Sequence, residues 1–220
     1  MSAADKADLE QARAVVSTSE AIITGLKLEI ALLRRNKYGW SAERTARLLT
    51  SDLERFVAEY QTILRAGLAP APCISVDDTG ARHARRDGIN TQIGGSRFSV
   101  FRTGRSKSRL NFLSLLRAGY EDYIINDAAL HYMRHRKVAP NVIAQLAAHL
   151  ETSFPSQMAW YDYLVRLRLD VFDRALVRKI TEISLWGEVR HQGLMGNTGV
   201  VSDDAGQFRI SNRALCWVHA

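Results

Sequence analysis

The spacing of apolar residues over the first part of the chain predicts helices. From Leu9 to Leu33, apolar side chains recur at alternating three- and four-residue steps, a spacing typical of a coiled coil or another paired helix. A second helical stripe consists of Leu49, Leu53, Phe56, Tyr60 and Ile63. Gly67 and the Pro70-Ala-Pro72 segment end this region, because proline cannot continue a helix. The pattern predicts a leucine-rich, coiled-coil-like helical arm over residues 1–66 that pairs with a second copy of the chain.

Beyond the prolines, the apolar positions follow the pattern of short strands. Three strands are predicted in succession, at Cys73–Val76, Ile89–Ile93 and Phe98–Arg102. The Gly94-Gly95 pair between the last two is a hairpin signal. A helix follows from about Ser106 to Arg117, and Gly119 is a suitable C-terminal stop for it.

The second half of the chain combines a long helical stretch with further strands. Tyr123–Ile125 is strand-like, and Asp127 can cap the helix that follows it. Residues 140–192 have a mostly helical pattern, with Trp160, Tyr163, Leu164 and Leu167 on one apolar stripe. Two more strands are predicted at Gly199–Val201 and Ala214–Val218, the second of them buried. The sequence therefore predicts an α/β domain over residues 71–220.

The composition is that of an ordinary globular protein, since 46% of the 220 residues are hydrophobic and 24% are charged. No stretch approaches the roughly 18 to 20 uninterrupted apolar residues of a membrane-spanning helix. The N-terminal sequence has no basic-then-apolar signal pattern. Two cysteines, Cys73 and Cys216, are too few for a disulfide framework. We therefore expect a soluble, cytoplasmic protein that does not associate with membranes.

Positive charge is concentrated in one segment. Residues 81–117 contain nine Lys and Arg side chains and one acidic residue, Asp87, whereas the whole chain has a net charge of +7. Such a cluster can bind phosphates with release of counterions, although a solvated basic face without a ligand has the same composition. The side chains that we expect to contact phosphate are Arg82, Arg85, Arg86, Arg105, Lys107 and Arg109.

Two of the predicted strands run into pairs of aspartates, Asp77-Asp78 after Val76 and Asp203-Asp204 after Ser202. Carboxylates gathered at strand ends supply the oxygen ligands that Mg²⁺ prefers. Two such ions about 3.5–4 Å apart promote phosphoryl displacement in polymerases and nucleases. A solvated turn after each strand would explain the same residues, so the pattern alone leaves both interpretations open.

Five segments of the chain carry the motifs of one known family. They are Leu26–Arg44, Val76–His83, Thr103–Leu113, Val201–Phe208 and Ala214–Ala220. The first resembles the leucine-rich N-terminal region of transposases of the insertion sequence 66 (TnpC-like) family, and the others resemble the catalytic part of such DDE transposases. The resemblance implies an incomplete ribonuclease-H-like mixed sheet with a helical insertion. It also implies two aspartates and a glutamate that bind Mg²⁺ (or Mn²⁺), with double-stranded DNA at the element ends as the partner for strand cleavage and transfer.

The resemblance assigns roles to individual residues. Asp77 corresponds to the first catalytic carboxylate, and Asp203, or its neighbour Asp204, corresponds to the second. Asp127 competes for the second role because it follows a strand-like segment. We favour Asp203, since it precedes the Cys216-Trp-Val-His strand at the short spacing that the resemblance suggests.

The chain departs from the family at two points. The family's third carboxylate lies on a helix after the strand that ends at His219, and no residue of this sequence matches it. The zinc-binding segment that the family places before its first aspartate has no counterpart between Leu53 and Asp77. We therefore expect a shortened or internally deleted transposase with little or no strand-transfer activity. The alternatives are a non-catalytic DNA-binding regulator that pairs with a full-length transposase, and a remnant that folds poorly.

Overall fold

The computed structural model describes residues 52–83, 86–104, 106–210 and 212–216, together with Lys27 and Ile30, and only the backbone of His83 and Arg86. The chain divides into two compact units, Met1–Val57 and Ala58–Ala220. The predicted seam from Leu9 to Leu33 lies outside the described residues, apart from Lys27 and Ile30, which are helical. All the carboxylates and phosphate contacts predicted from the sequence belong to the second unit.

The described chain contains both helices and strands, arranged in mixed order. In order they are α1 (52–68), β1 (Cys73–His83), β2 (Arg86–Gly94), β3 (Ser99–Gly104), α2 (Arg109–Leu116), β4 (Tyr123–Ile124), α3 (Asp127–His135), α4 (Pro140–Ala147), β5 (Ser153–Phe154), α5 (Gln157–Arg166), α6 (Arg174–His191), β6 (Gly199–Ser202) and β7 (Arg213–Leu215). A short 3-10 helix, Gly206–Phe208, lies between the last two strands. The α/β class predicted from the sequence is confirmed.

Five of the strands form one mixed sheet in the order β3-β2-β1-β6-β7. The first three strands are antiparallel to one another. The predicted hairpin at Gly94-Gly95 is confirmed, because the N–H of Gly95 donates to the Phe98 carbonyl at 2.8 Å. β6 lies parallel to β1 on its other side, and β7 lies parallel to β6. β1 is therefore the central strand of the sheet.

β1 is longer than the apolar pattern indicates. It continues through Asp77 and Asp78 to His83, so the two aspartates lie inside the strand and the prediction that they follow it is wrong. The cause is pairing with β2, which runs without interruption from Ser75 opposite Gly94 to His83 opposite Arg86. β1 thus stays paired with β2 as far as His83, whereas its pairing with β6 ends at Ser75.

The prediction of a buried last strand is also wrong. Arg213, Ala214 and Leu215 of β7 are all exposed. β7 is an edge strand of the sheet with β6 as its neighbour, so an apolar run in the sequence does not guarantee burial there. Trp217 and Val218 of the predicted strand lie outside the described residues.

One face of the sheet is packed against helices. Along β1, Ile74 and Val76 are buried whereas Ser75 and Asp77 are exposed, as expected when alternate side chains point to opposite faces. The buried side chains share one hydrophobic core with residues of α2, α3, α5 and α6. We call the side of Ile74 the covered face of the sheet and the side of Asp77 the open face.

The longest helix among the described residues is α6, which lies at the centre of the helical layer. Its residues Ile180–Val189 are all buried, and the helix packs against α2, α3 and β4. A Cβ atom added at Gly187 would lie 2.1 Å from the carbonyl oxygen of Ile124, so this approach of α6 to β4 requires glycine. Asn126 fixes the same contact by donating from its side-chain amide to the Gly187 carbonyl at 2.9 Å.

The strand-like segment Tyr123–Ile125 does not join the main sheet. β4 pairs with β5 in a separate two-stranded sheet, with Tyr123 opposite Phe154. The helix that follows is capped by Asn126, whose side chain accepts the N–H of Ala129 at 2.9 Å, so the prediction of Asp127 as the cap is wrong. Asp127 therefore begins a helix away from the ends of the main-sheet strands.

The end of α1 belongs to the core of the second unit. Leu64 and Leu68 are fully buried, and the side chain of Arg65 donates from Nε to the Ala118 carbonyl at 2.8 Å. The division between the two units falls between Val57 and Ala58, which is earlier in the chain than the boundary expected near the prolines.

Candidate functional site

Asp77 lies within β1, and Asp203 directly follows β6, the parallel strand beside β1. The last registered pair of β1 and β6 is Ser75 opposite Val201, and each aspartate lies two residues further along the chain. Residues two apart point to the same face, and neighbouring strands lie about 4.7–4.9 Å apart. Both aspartates are exposed. The register, extended by two residues past its last pair, brings Asp203 opposite Asp77 at the end of β6.

Asp78 and Asp204, each one residue further along the chain, have different hydrogen-bond partners from Asp77 and Asp203. Thr91 donates to one carboxylate oxygen of Asp78, and Gln207 donates to the other at 2.9 Å. Asp204 accepts from Arg209 Nε at 3.1 Å and from Arg213 at 2.8 Å. Protein donors thus engage both of these carboxylates.

Asp77 and Asp203 accept only local backbone donors among the described residues. The N–H of Asp78 donates to Asp77 at 2.9 Å, and the N–H of Ala205 donates to Asp203 at 3.0 Å. The next residue, Asp204, has a positive φ of 67°, which turns the chain away from β6 directly after Asp203. In the part of the chain that the structure describes, neither carboxylate is neutralised by a cationic side chain, so both keep oxygens available for a ligand.

The acidic side chains of α6 serve a different purpose. Glu182 lies between Arg178, Arg136 and Arg109, at 3.1, 3.3 and 3.5 Å. Glu188 is 1% exposed, accepts from Gln192 at 2.9 Å and has one carboxylate oxygen without a partner. Burial raises the pKa of Glu188 above its usual value. Both glutamates are therefore part of the interior of the helical layer.

The predicted phosphate contacts differ in their surroundings. Arg82 is exposed and pairs with Asp87 across the β1–β2 hairpin at 3.5 Å. Lys107 is exposed, and its Nζ donates to the Asp78 carbonyl at 3.4 Å. Arg109 has only 15% of its side chain exposed and pairs with Glu182, so it is held within the fold. Arg85, Arg105 and the side chain of Arg86 lie outside the described residues.

A polar cavity of about 420 Å³ lies on the covered side of the sheet, between β2, β3 and α2. Thr91, Arg102, Asn111 and Arg117 are among the residues that line it. Thr91 also donates to Asp78, so this cavity adjoins the structural aspartate. It does not include Asp77 or Asp203.

Two further findings concern metal-binding groups and membrane-spanning helices in the described residues. In the ranges from 52 to 216 that the structure describes, no three His, Cys, Asp or Glu side chains converge into a metal-binding group. No helix in those ranges is long and apolar enough to cross a lipid bilayer.

The comparisons with known proteins give one similar sequence. No family model matches the chain, and no solved structure matches it. The chain is 53% identical over 158 residues to a protein of Sinorhizobium fredii (strain NBRC 101917 / NGR234) described as "Uncharacterized protein y4jO". The match covers 72% of this chain and 49% of the relative, so the chain spans about half the length of the relative.

Proposed function

We propose that this chain is part of a DDE transposase of an insertion sequence, which binds double-stranded DNA and uses divalent metal ions for strand cleavage and transfer. The observation that carries this proposal is the register that brings Asp203 opposite Asp77. One carboxylate within a strand and a second directly after the neighbouring parallel strand are suited to hold Mg²⁺ or Mn²⁺. The motifs around both residues, which resemble those of the insertion sequence 66 family, support the same function.

The connectivity of the sheet supports a ribonuclease-H-like core. A meander of three antiparallel strands is followed by β6, which adds in parallel to the other side of β1, and then by β7. Residues 123–192 form the two-stranded sheet and helices α3–α6 between α2 and β6, which is the place of the helical insertion that the resemblance implies. This connectivity favours Asp203 over Asp127 as the second carboxylate, since only Asp203 follows a strand beside β1.

The available side chains fit a divalent ion. Mg²⁺ takes oxygen ligands and keeps several waters, so two carboxylates can hold it without a complete protein cage. A bound ion would stabilise charge on the phosphoryl group and the attacking oxygen during strand cleavage. The role of this chain is to place Asp77 within β1 and Asp203 directly after β6, and to hold the loop of Asp203 against β1 through the bond from Gln207 to Asp78.

Calorimetric titration of Mn²⁺ and Mg²⁺ into the protein tests the proposal. We expect saturable binding that is lost in Asp77→Asn and in Asp203→Asn. Asp87→Asn is the matched control, because Asp87 is a fully exposed strand carboxylate of the same sheet, and it should leave binding unchanged. Absence of binding to the wild type, or binding that survives both substitutions, would overturn the metal site.

A second candidate is a non-catalytic DNA-binding regulator that pairs with a full-length transposase through the helical arm. It is favoured by the state of the other nearby acids. Among the described residues, Asp78, Asp204 and Glu182 are all engaged by protein donors, which leaves two carboxylates for a site that is expected to need three. DNA binding without metal-dependent nicking of supercoiled plasmid would support the regulator, and metal-dependent nicking lost in Asp77→Asn would exclude it.

A further inference from the structure

Glu182 is surrounded by more positive charge than it can neutralise. Its carboxylate is 4% exposed and lies within 3.5 Å of three guanidinium groups, those of Arg109, Arg136 and Arg178. These arginines come from α2, the C-terminus of α3 and the second turn of α6. One negative charge against three leaves a surplus of two positive charges at this point.

A second cluster of the same kind surrounds Asp204. Arg209 and Arg213 both pair with its carboxylate, and Arg209 does so through two nitrogen atoms. One negative charge against two leaves a further surplus positive charge. Purely structural ion pairs would need no such excess, because a single guanidinium satisfies one carboxylate in a bidentate pair.

The two clusters adjoin one another. Arg109 of the first cluster donates to the carbonyl of Gly206, in the loop that follows Asp204. Tyr132 donates from its hydroxyl to the Arg209 carbonyl at 3.5 Å, and the guanidinium of Arg136 lies 5.9 Å from the Tyr132 ring centre. We call the combined set the arginine track. It consists of Arg109, Arg136, Arg178, Arg209 and Arg213.

The outer members of the arginine track have donors to spare. Arg178, Arg209 and Arg213 have 58%, 49% and 52% of their side chains exposed. A guanidinium carries five N–H donors, and Arg178 uses its Nε for Glu182. The free edges of such groups match the oxygens of a phosphodiester, which they bind in bidentate fashion.

We propose that the arginine track binds the sugar–phosphate backbone of double-stranded DNA, an inference that rests on the proposed function. Its position gives it a role. The loop that follows β6 carries both Asp203 and Asp204, so a duplex held on the track lies next to the loop of the second candidate carboxylate. The track is separate from the basic segment 81–117 except for Arg109, and it adds the helical insertion to the DNA-binding surface.

The salt dependence of DNA binding tests the arginine track. Each phosphate neutralised by the protein contributes about 0.9 to the slope of log affinity against log salt. We expect Arg178→Gln and Arg213→Gln each to lower the slope by about 0.9, measured by fluorescence anisotropy with a labelled duplex of arbitrary sequence. These two positions are suitable because Glu182 keeps Arg109 and Arg136, and Asp204 keeps Arg209, in the variants.

Arg166→Gln is the matched control. Arg166 has the same exposed fraction as Arg178, 58%, and it also pairs with a single glutamate, Glu151, but it lies outside the track. We expect its slope to equal that of the wild type. Arg178→Lys keeps the charge and should keep most of the slope, which separates phosphate binding from a loss of fold.

The outcomes distinguish this inference from the proposed function. If the wild type binds DNA and neither Arg178→Gln nor Arg213→Gln changes the slope, the arginine track is overturned while the proposed function stands. An equal loss in Arg166→Gln would also overturn it, because the effect would then reflect net charge. If the wild type does not bind DNA at all, the proposed function and the track both fall. Thermal unfolding of each variant checks the fold, and Arg178→Gln alone decides the result if Arg213→Gln is destabilised.

Discussion

Gln207 donates from its side-chain amide to the carboxylate of Asp78 at 2.9 Å, and this bond ties the loop after β6 to the middle of β1. Thr91 of β2 donates to the other oxygen of the same carboxylate, so three segments meet at one side chain. Because Asp203 belongs to the loop that Gln207 anchors, the bond helps to fix the separation of Asp203 from Asp77.

Gln207→Leu tests this anchoring role. We expect the free energy of unfolding to fall by about 1 kcal/mol, since a hydrogen bond to a charged group contributes about 1.5–3 kcal/mol and less where it is partly solvated. We also expect weaker Mn²⁺ binding, because the loop of Asp203 loses its support. Urea unfolding and calorimetry measure the two effects. Gln92→Leu is the control, since Gln92 donates at 3.3 Å to the neutral hydroxyl of Ser99 in an exposed site, and an equal loss of stability in both variants would contradict the prediction.

Features that depend on neighbours in the sequence are predicted well. The hairpin at Gly94-Gly95 is confirmed, with Gly94 as the last residue of β2 and the turn formed by Gly95–Phe98. Trp160 and Tyr163, three residues apart on α5, are fully buried as the helical stripe predicts. In each case the signal lies within one element and does not require knowledge of its partner.

Features that depend on pairing between strands are not predicted. The extension of β1 through Asp78 to His83 is fixed by the β2 residues opposite it, and the exposure of β7 follows from its place at the edge of the sheet. The length of β1 and the exposure of β7 cannot be predicted from the local sequence of either strand. The sequence therefore locates the strands more reliably than it gives their lengths or their burial.

The candidate site contains one feature that the sequence could predict and others that it could not. The alternation of Ile74 and Val76 already implies that Asp78 shares their face and that Asp77 points to the other side, so the difference between the two aspartates could be predicted. The bond from Gln207 to Asp78 could not, because the two residues are 129 positions apart. The grouping of Arg109, Arg136 and Arg178 around Glu182 could not be predicted for the same reason, since these arginines are far apart in the sequence.

Gly187→Ala tests the packing of α6 against β4. The added methyl group would lie 2.1 Å from the carbonyl oxygen of Ile124, so the helix and the strand must move apart in the centre of the core. Overpacking of this kind costs about 1–3 kcal/mol, which should lower the thermal midpoint. Gly206→Ala is the control, because nothing lies within 4 Å of a Cβ atom at that position. A wild-type midpoint for Gly187→Ala would show that the approach of α6 to β4 is looser than described.

The buried carboxyl of Glu188 makes stability depend on pH. Burial, the main cause, raises its pKa in the folded state, so the folded protein holds the proton more tightly than the unfolded chain does. The stabilising contribution is complete below the unfolded pKa of about 4.3 and is lost as the pH rises through the folded pKa. Glu188→Gln cannot lose a proton and should escape this loss.

The comparison is made by urea unfolding of both proteins at about pH 4 and about pH 7. We expect the unfolding free energy of Glu188→Gln, measured relative to that of the wild type, to be larger at the higher pH. Glu121→Gln, which removes an exposed carboxylate from the segment before β4, should show no such gain. Parallel pH profiles for Glu188→Gln and the wild type would mean that Glu188 does not control this dependence.

Glu182→Gln tests the balance of charge inside the helical layer. The substitution leaves three arginines without their shared carboxylate, and breaking a buried ion pair by removing one partner costs about 3–5 kcal/mol. We expect a loss at the lower end of this range, because Arg178 is more than half exposed. Glu151→Gln breaks the solvent-exposed pair with Arg166 and should cost about 0–1 kcal/mol. Equal unfolding free energies for the two variants would show that Glu182 is not needed to hold the arginines together.

Arg82→Gln and Lys107→Gln test the basic segment predicted from the sequence. Both side chains are exposed, and the pair of Arg82 with Asp87 is open to solvent, so neither substitution should change stability appreciably. Each should weaken DNA binding equally on all sequences and lower the salt slope by about 0.9. Arg109→Gln should differ from both, because Arg109 pairs with the buried Glu182 and its loss lowers stability as well as affinity. If Arg82→Gln and Lys107→Gln both left the salt slope intact while Arg178→Gln lowered it, the DNA backbone would follow the helical insertion and not the β1–β2 hairpin.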